Sequence, residues 1–151
     1  MSAAKQPLKS CFGSGTSAAG GAGTESYIEL WNAATTGVTG HIKRVVIISA
    51  EDGAGTLVKI KYHTAKQGST ALTSGNALLG GAAPAIAIYG DNAASVSGTQ
   101  IGGLIITTAT RTEFEFKEPI KVPPGKSCIF ENTTAVKAIT MLQIEWDEVP
   151  D

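Results

Sequence analysis

Few residues in this chain combine type and spacing in a way that does chemistry. Gly125-Lys126-Ser127 matches the end of a phosphate-binding loop, in which backbone amides and a lysine wrap the phosphates of a nucleotide. That loop needs a glycine five positions earlier and a helix afterwards, but position 120 is Ile and the residues after Ser127 have a strand pattern. Pro123-Pro124-Gly125 reads instead as a turn into a strand, proline fixing φ and glycine taking the unusual dihedral. The run GSGTSAAGGAG has no strand before it and no suitably spaced lysine after it, so it is no phosphate cradle.

His41 and His63 fall near the ends of predicted strands, where a metal site would require a third ligand such as Asp52 or Cys128; no spacing joins them. Glu113, Glu115 and Glu118 have the residue types of a glycosidase carboxylate pair. Glu113 and Glu115, however, alternate with Phe114 and Phe116, the pattern of an outward polar face. Serines and threonines are abundant, and no histidine is placed by sequence to activate one. No catalytic, cofactor-binding or metal-ligating residue is assigned. Tyr27 and Trp31 share a strand face opposite Ile28 and Leu30, suited to stacking on a sugar or to packing under a partner.

The elements that position these residues are strands. Ser26 to Trp31 alternates, as does Thr56 to His63, with Val58, Ile60 and Tyr62 inward. His41 to Ser49 is β-branched and nearly continuously apolar, which predicts a strand buried on both faces and paired with Thr56 to His63 in a hairpin. Residues 64 to 83 read as a loop with a short helical turn. Ala85 to Tyr89, Ile101 to Thr108, Arg111 to Lys117, Lys126 to Asn132 and Ala138 to Asp147 complete about eight strands. In the last, Thr140, Leu142, Ile144 and Trp146 alternate with polar or exposed positions. The expected fold is all-β, an antiparallel β-sandwich or jelly roll over residues 26–151. Residues 1–25, rich in Gly, Ser and Ala, read as an extended N-terminal arm, flexible or held by a partner.

The chain has 151 residues, enough for one self-sufficient core, and a formal net charge of -1, which gives no global field to draw it onto nucleic acid or an anionic membrane. Eighteen glycines and 17% charged residues make a bland surface, suited to being covered by protein. Neither a signal-peptide core nor a membrane-length apolar run occurs, so synthesis in a cytoplasm is expected. Cys11 and Cys128 lie far apart in sequence, and no bridge is expected between them.

The stretch Ser26-Tyr27-Ile28-Glu29-Leu30-Trp31-Asn32, the strand His41 to Ser49, and the ending from Val122-Pro123-Pro124-Gly125 to Ile144-Glu145-Trp146-Asp147-Glu148 resemble small virion proteins of tailed bacteriophages. The resemblance implies a non-enzymatic capsid decoration, or cement, protein on the virion surface that binds junctions of the major capsid protein. It also implies a homo-oligomer, first of all a trimer, and no cofactor. Lys5, Leu8, Lys9, Phe12, Tyr27 and Trp31 are the expected partner-binding residues, and a chain lacking residues 2–24 is expected to stay folded. The alternative is a carbohydrate-binding module of a tail or head fibre that stacks sugars on Trp31, Tyr27 or Tyr89.

Overall fold

Strands that are apolar on one face must pair edge to edge and then bury that face against a second layer. The structure, a computed structural model, describes residues 7–17, 25–48, 56–106, 111–132 and 142–151. Among these residues it contains ten strands and no helix: β1 (Lys9–Gly15), β2 (Glu25–Asn32), β3 (Val38–Ile48), β4 (Thr56–His63), β5 (Thr73–Asn76), β6 (Ala87–Ala93), β7 (Thr99–Ile106), β8 (Arg111–Val122), β9 (Lys126–Asn132) and β10 (Leu142–Pro150). They form two antiparallel five-stranded sheets, ordered β5-β1-β10-β3-β8 and β6-β2-β9-β4-β7. The sheets pack face to face as a β-sandwich, the expected class. Ile42, Val45, Ile47, Ile144 and Trp146 of the first sheet meet Ile28, Leu30, Val58, Ile88 and Phe130 of the second in one core.

Alternation places most side chains as expected. Phe114 and Phe116 pack against the core while Glu113 and Glu115 face outward. Strand β3 departs from strict alternation: against β10, Arg44 pairs with Glu145 and Ile42 with Trp146, leaving Lys43 as a bulge. The extra residue resets the phase, so that Ile42 and Val45, three apart, both point into the core.

Three expectations change. The hairpin between β3 and β4 does not form, because β3 lies in the first sheet between β10 and β8, and β4 in the second between β9 and β7. Alternation says that each strand has a face to bury, not which sheet buries it. In place of a helical turn, residues 64–83 contain β5. Finally, Lys9–Gly15 of the N-terminal segment is not a free arm but a strand of the first sheet, paired with both β10 and β5; residues 1–6 and 18–24 of that segment lie outside the described residues. Its glycines serve close packing. A Cβ on Gly13 would stand 3.0 Å from Ile88 Cγ2 and 3.2 Å from Trp146 Cζ3, and one on Gly15 would stand 2.8 Å from Leu72 Cδ2.

Candidate interaction surface

The residues that suggested chemistry are dispersed or occupied. Gly125 adopts φ 75° between Pro124 and the start of β9, Lys126 N donates to Pro123 O, and the Gly125 amide donates to Asn32 O at 2.7 Å. This is the expected turn, and no helix follows it. His41 lies on β3 and His63 on β4, in different sheets. Burial lowers the His41 pKa, and Lys121 beside it lowers it further against the opposing pull of Asp147. Among the described residues, no three His, Cys, Asp or Glu side chains are grouped to hold a metal ion. Cys11 and Cys128 are free and buried, and desolvation pushes both thiols up to about 12, reinforced at Cys11 by Glu148. Glu113 pairs with Arg44 and Arg111 on the outer face of the first sheet, where Arg44 also meets Glu145 at 2.5 Å and Lys43 meets Asp147 at 2.8 Å.

Four further carboxylates are engaged within the sandwich, three of them by holding loop backbone or the segment before β6. Glu29, fully buried on the outer side of β2, accepts the amides of Gln67 and Gly68, the latter at 2.6 Å. Asp91 on β6 accepts the amides and hydroxyls of Ser69 and Thr70. Burial raises the Asp91 pKa, but those hydrogen bonds outweigh it and hold the carboxyl below its ordinary value. Glu148 continues the inward phase of Ile144 and Trp146, accepts the Ile86 amide at 2.9 Å and pairs with Lys9 at 3.6 Å. Glu131 pairs with Lys61 and shares a hydrogen bond with Glu25, which raises the Glu25 pKa. The sequence offered one signal for these roles: Glu29 lies between Tyr27 and Trp31 on a strand face too aromatic to be bare.

Exposed apolar side chains gather at one corner of the first sheet, apart from Leu57, Tyr62, Ile101 and Ile105 on the second. Leu8, just before β1, and Ser10 and Phe12 on it point outward, and Leu8 and Phe12 are 62% and 41% exposed. The Ser10 carbonyl accepts the Ala77 amide at 2.8 Å, which sets the loop after β5 beside this strip. That loop is built rigidly. The Asn76 side chain accepts the Leu78 amide and donates to Ala82 O, Gly81 N donates to Leu78 O, and Gly80 takes φ 77° at the third turn position. Lys9 Nζ holds the far end of the loop through Ala83 O at 2.7 Å. At the tip, Leu78 is 72% and Leu79 95% exposed.

Of the six expected partner-binding residues, the structure gathers Leu8, Lys9 and Phe12 at this corner. Lys5 lies outside the described residues. Tyr27 is buried with Val96 and Ile129, and desolvation raises its hydroxyl to about 12; it offers no stacking face. Trp31 is half-buried on the second sheet, opposite Ala87 and Ser127. Tyr89 carries the Lys66 ammonium 4.2 Å from its ring centre. Leu78 and Leu79, which the sequence reading passed over, are the most exposed members of the surface.

No protein-family model matches this chain, and neither the curated proteins nor the solved structures searched contain a match.

Proposed function

We propose that the protein is a non-enzymatic structural component of a phage virion, a decoration or cement protein that docks on major capsid protein junctions through the Leu8–Phe12–Leu78–Leu79 corner. The observation that carries the reading is the pre-set turn holding Leu78 and Leu79 out of the sandwich. Two leucines that stay exposed in the monomer gain about 1.5–3 kcal/mol each when a partner covers them, and a rigid turn lowers the ordering cost of doing so. The sequence resemblance supplies the kind of partner, and repetition over a shell would multiply a modest single contact into firm attachment. The use of Glu29, Asp91, Glu148 and the two thiols inside the fold supports a mechanical role over a catalytic one. The burial of Tyr27 and the lysine on Tyr89 count against the sugar-stacking alternative. The test is co-sedimentation of the purified chain with assembled shells of the major capsid protein encoded in the genome that carries it. Wild-type chain should pellet with shells; a Leu78→Ser/Leu79→Ser variant of unchanged melting temperature should stay in the supernatant.

A further inference from the structure

One buried ion pair has more than charge in its surroundings. On the outer face of the second sheet, β9 runs between β2 and β4, and alternation brings Glu25, Glu131, Lys59 and Lys61 to one patch. Glu131 stands opposite Tyr27 on one side and Lys59 on the other, so Glu25 and Lys61 approach it along the two diagonals. Val96, from the segment between β6 and β7, packs over this face with Tyr27 and Ile129, and its carbonyl accepts Lys61 Nζ at 2.8 Å. The side chains of Lys61 and Glu131 are 13% and 1% exposed. Lys61 Nζ touches Glu131 Oε2, yet among the described residues that buried oxygen accepts no hydrogen bond, so the contact lies outside hydrogen-bond geometry. Glu25 and Glu131 share a hydrogen bond, which two carboxyls form only when one of them carries a proton. That bond, with burial and the charge of Glu131, raises the Glu25 pKa against the opposing pull of Lys61 and Lys59.

We propose that Lys61 and Glu131 condense into an intramolecular isopeptide bond, with Glu25 as the general acid and base that carries the protons. Amide formation needs an amine, a carboxyl and a proton carrier held together, and fixed contact in the fold supplies the effective concentration. Lys61 passes one ammonium proton to Glu131, leaving an amine beside a neutral carboxyl. Its Nζ then attacks Glu131 Cδ. As the Cδ–O bond breaks, Nζ gives a proton to Glu25 and Glu25 gives its own to the departing oxygen. The products are one amide and one water, with Glu25 protonated as at the start and no oxidant, reductant or co-reactant required. Burial favours this outcome, because an ion pair keeps two charges out of water whereas an amide keeps none, and a covered site resists hydrolysis of the product. The bond ties β4 to β9 and encloses β5 to β8 in one covalent loop, which spans strands of both sheets. It does not depend on what the leucine corner docks on.

Mass spectrometry of the denatured full chain and of its tryptic digest tests the proposal. Wild-type chain should weigh one water less than its sequence, and the digest should contain a branched peptide that joins the Lys61 and Glu131 segments and is uncut at Lys61. Lys61→Arg keeps the cation but lacks the amine, and should appear at full sequence mass. Glu25→Gln leaves Lys61 against Glu131 but removes the proton carrier; it should stay mostly at full sequence mass with the circular dichroism of wild type. Wild-type chain at full mass, or a water loss that maps to other residues, overturns the proposal and leaves Lys61 and Glu131 an ordinary buried ion pair. A Glu25→Gln chain as fully cross-linked as wild type overturns the role of Glu25.

Discussion

Whether Lys9–Gly15 is part of the sandwich can be read from Gly13→Val. A Cβ at Gly13 already lies 3.0 and 3.1 Å from two carbons of Ile88 and 3.2 Å from the Trp146 ring, and valine adds two methyl groups beyond it. Ile88 and Trp146 are 1% and 0% exposed, so neither has solvent to retreat into. Overpacking of this kind costs about 1–3 kcal/mol, and three tight contacts at Cβ alone place Gly13→Val near the top of that range, ~3 kcal/mol. For a domain of this size that lowers the melting temperature by about 6–12 °C. Gly102→Ala in β7 is the internal control: the nearest atom to its new Cβ is Ile60 Cδ1 at 3.7 Å, an ordinary contact. There the lost freedom of the unfolded chain should stabilise by about 0.4–1 kcal/mol and raise the melting temperature by about 1–4 °C. Thermal melts by circular dichroism or calorimetry compare the two variants with wild type. A Gly13→Val chain that melts with wild type would refute the seating of β1 on Ile88 and Trp146. For the same reason, truncation of residues 2–24 should yield an aggregating chain, since it strips β1 from both β10 and β5.

Two other outcomes follow from the buried groups. With both thiols pushed up to about 12 by burial, Cys11 and Cys128 should be silent to a thiol reagent at pH 8 and react together on unfolding in denaturant; reaction of either in the native protein contradicts their placement. Asp91 is held below its ordinary 3.8 in the fold, so its contribution is complete above that value and is lost as the pH falls through the lower folded one. Asp91→Asn should therefore melt below wild type at neutral pH, with a gap that closes on acidification; a gap that persists to the acid end contradicts the assignment.

Periodicity made much of the fold legible. Phe114 and Phe116 against Glu113 and Glu115, and Ile144 against Glu145, reveal strands and their buried faces without any knowledge of neighbours. Sheet membership was not legible, because β3 and β4 have the same local pattern whichever sheet receives them. Strand β1 was hidden by its glycines: a sequence shows that Gly13 and Gly15 lack side chains, not that Trp146, Ile88 and Leu72 fill the space. The same blindness affected the carboxylates, whose partners are backbone amides of distant loops, as with Glu29 and Gly68. At the surface, Leu8 and Phe12 were legible as apolar residues in a polar setting. Leu78 and Leu79 sit where periodicity stops, and the readable signal there was the pair of glycines after two adjacent leucines, the composition of a turn that presents them.

The docking role of that turn is tested most directly by titrating assembled shells with wild-type chain and with Leu78→Ser/Leu79→Ser. Loss of two covered leucines should weaken binding by at least about a hundredfold while the melting temperature is unchanged, because both side chains are exposed in the free protein. Equal binding by the two chains, or no binding by wild type, contradicts the account.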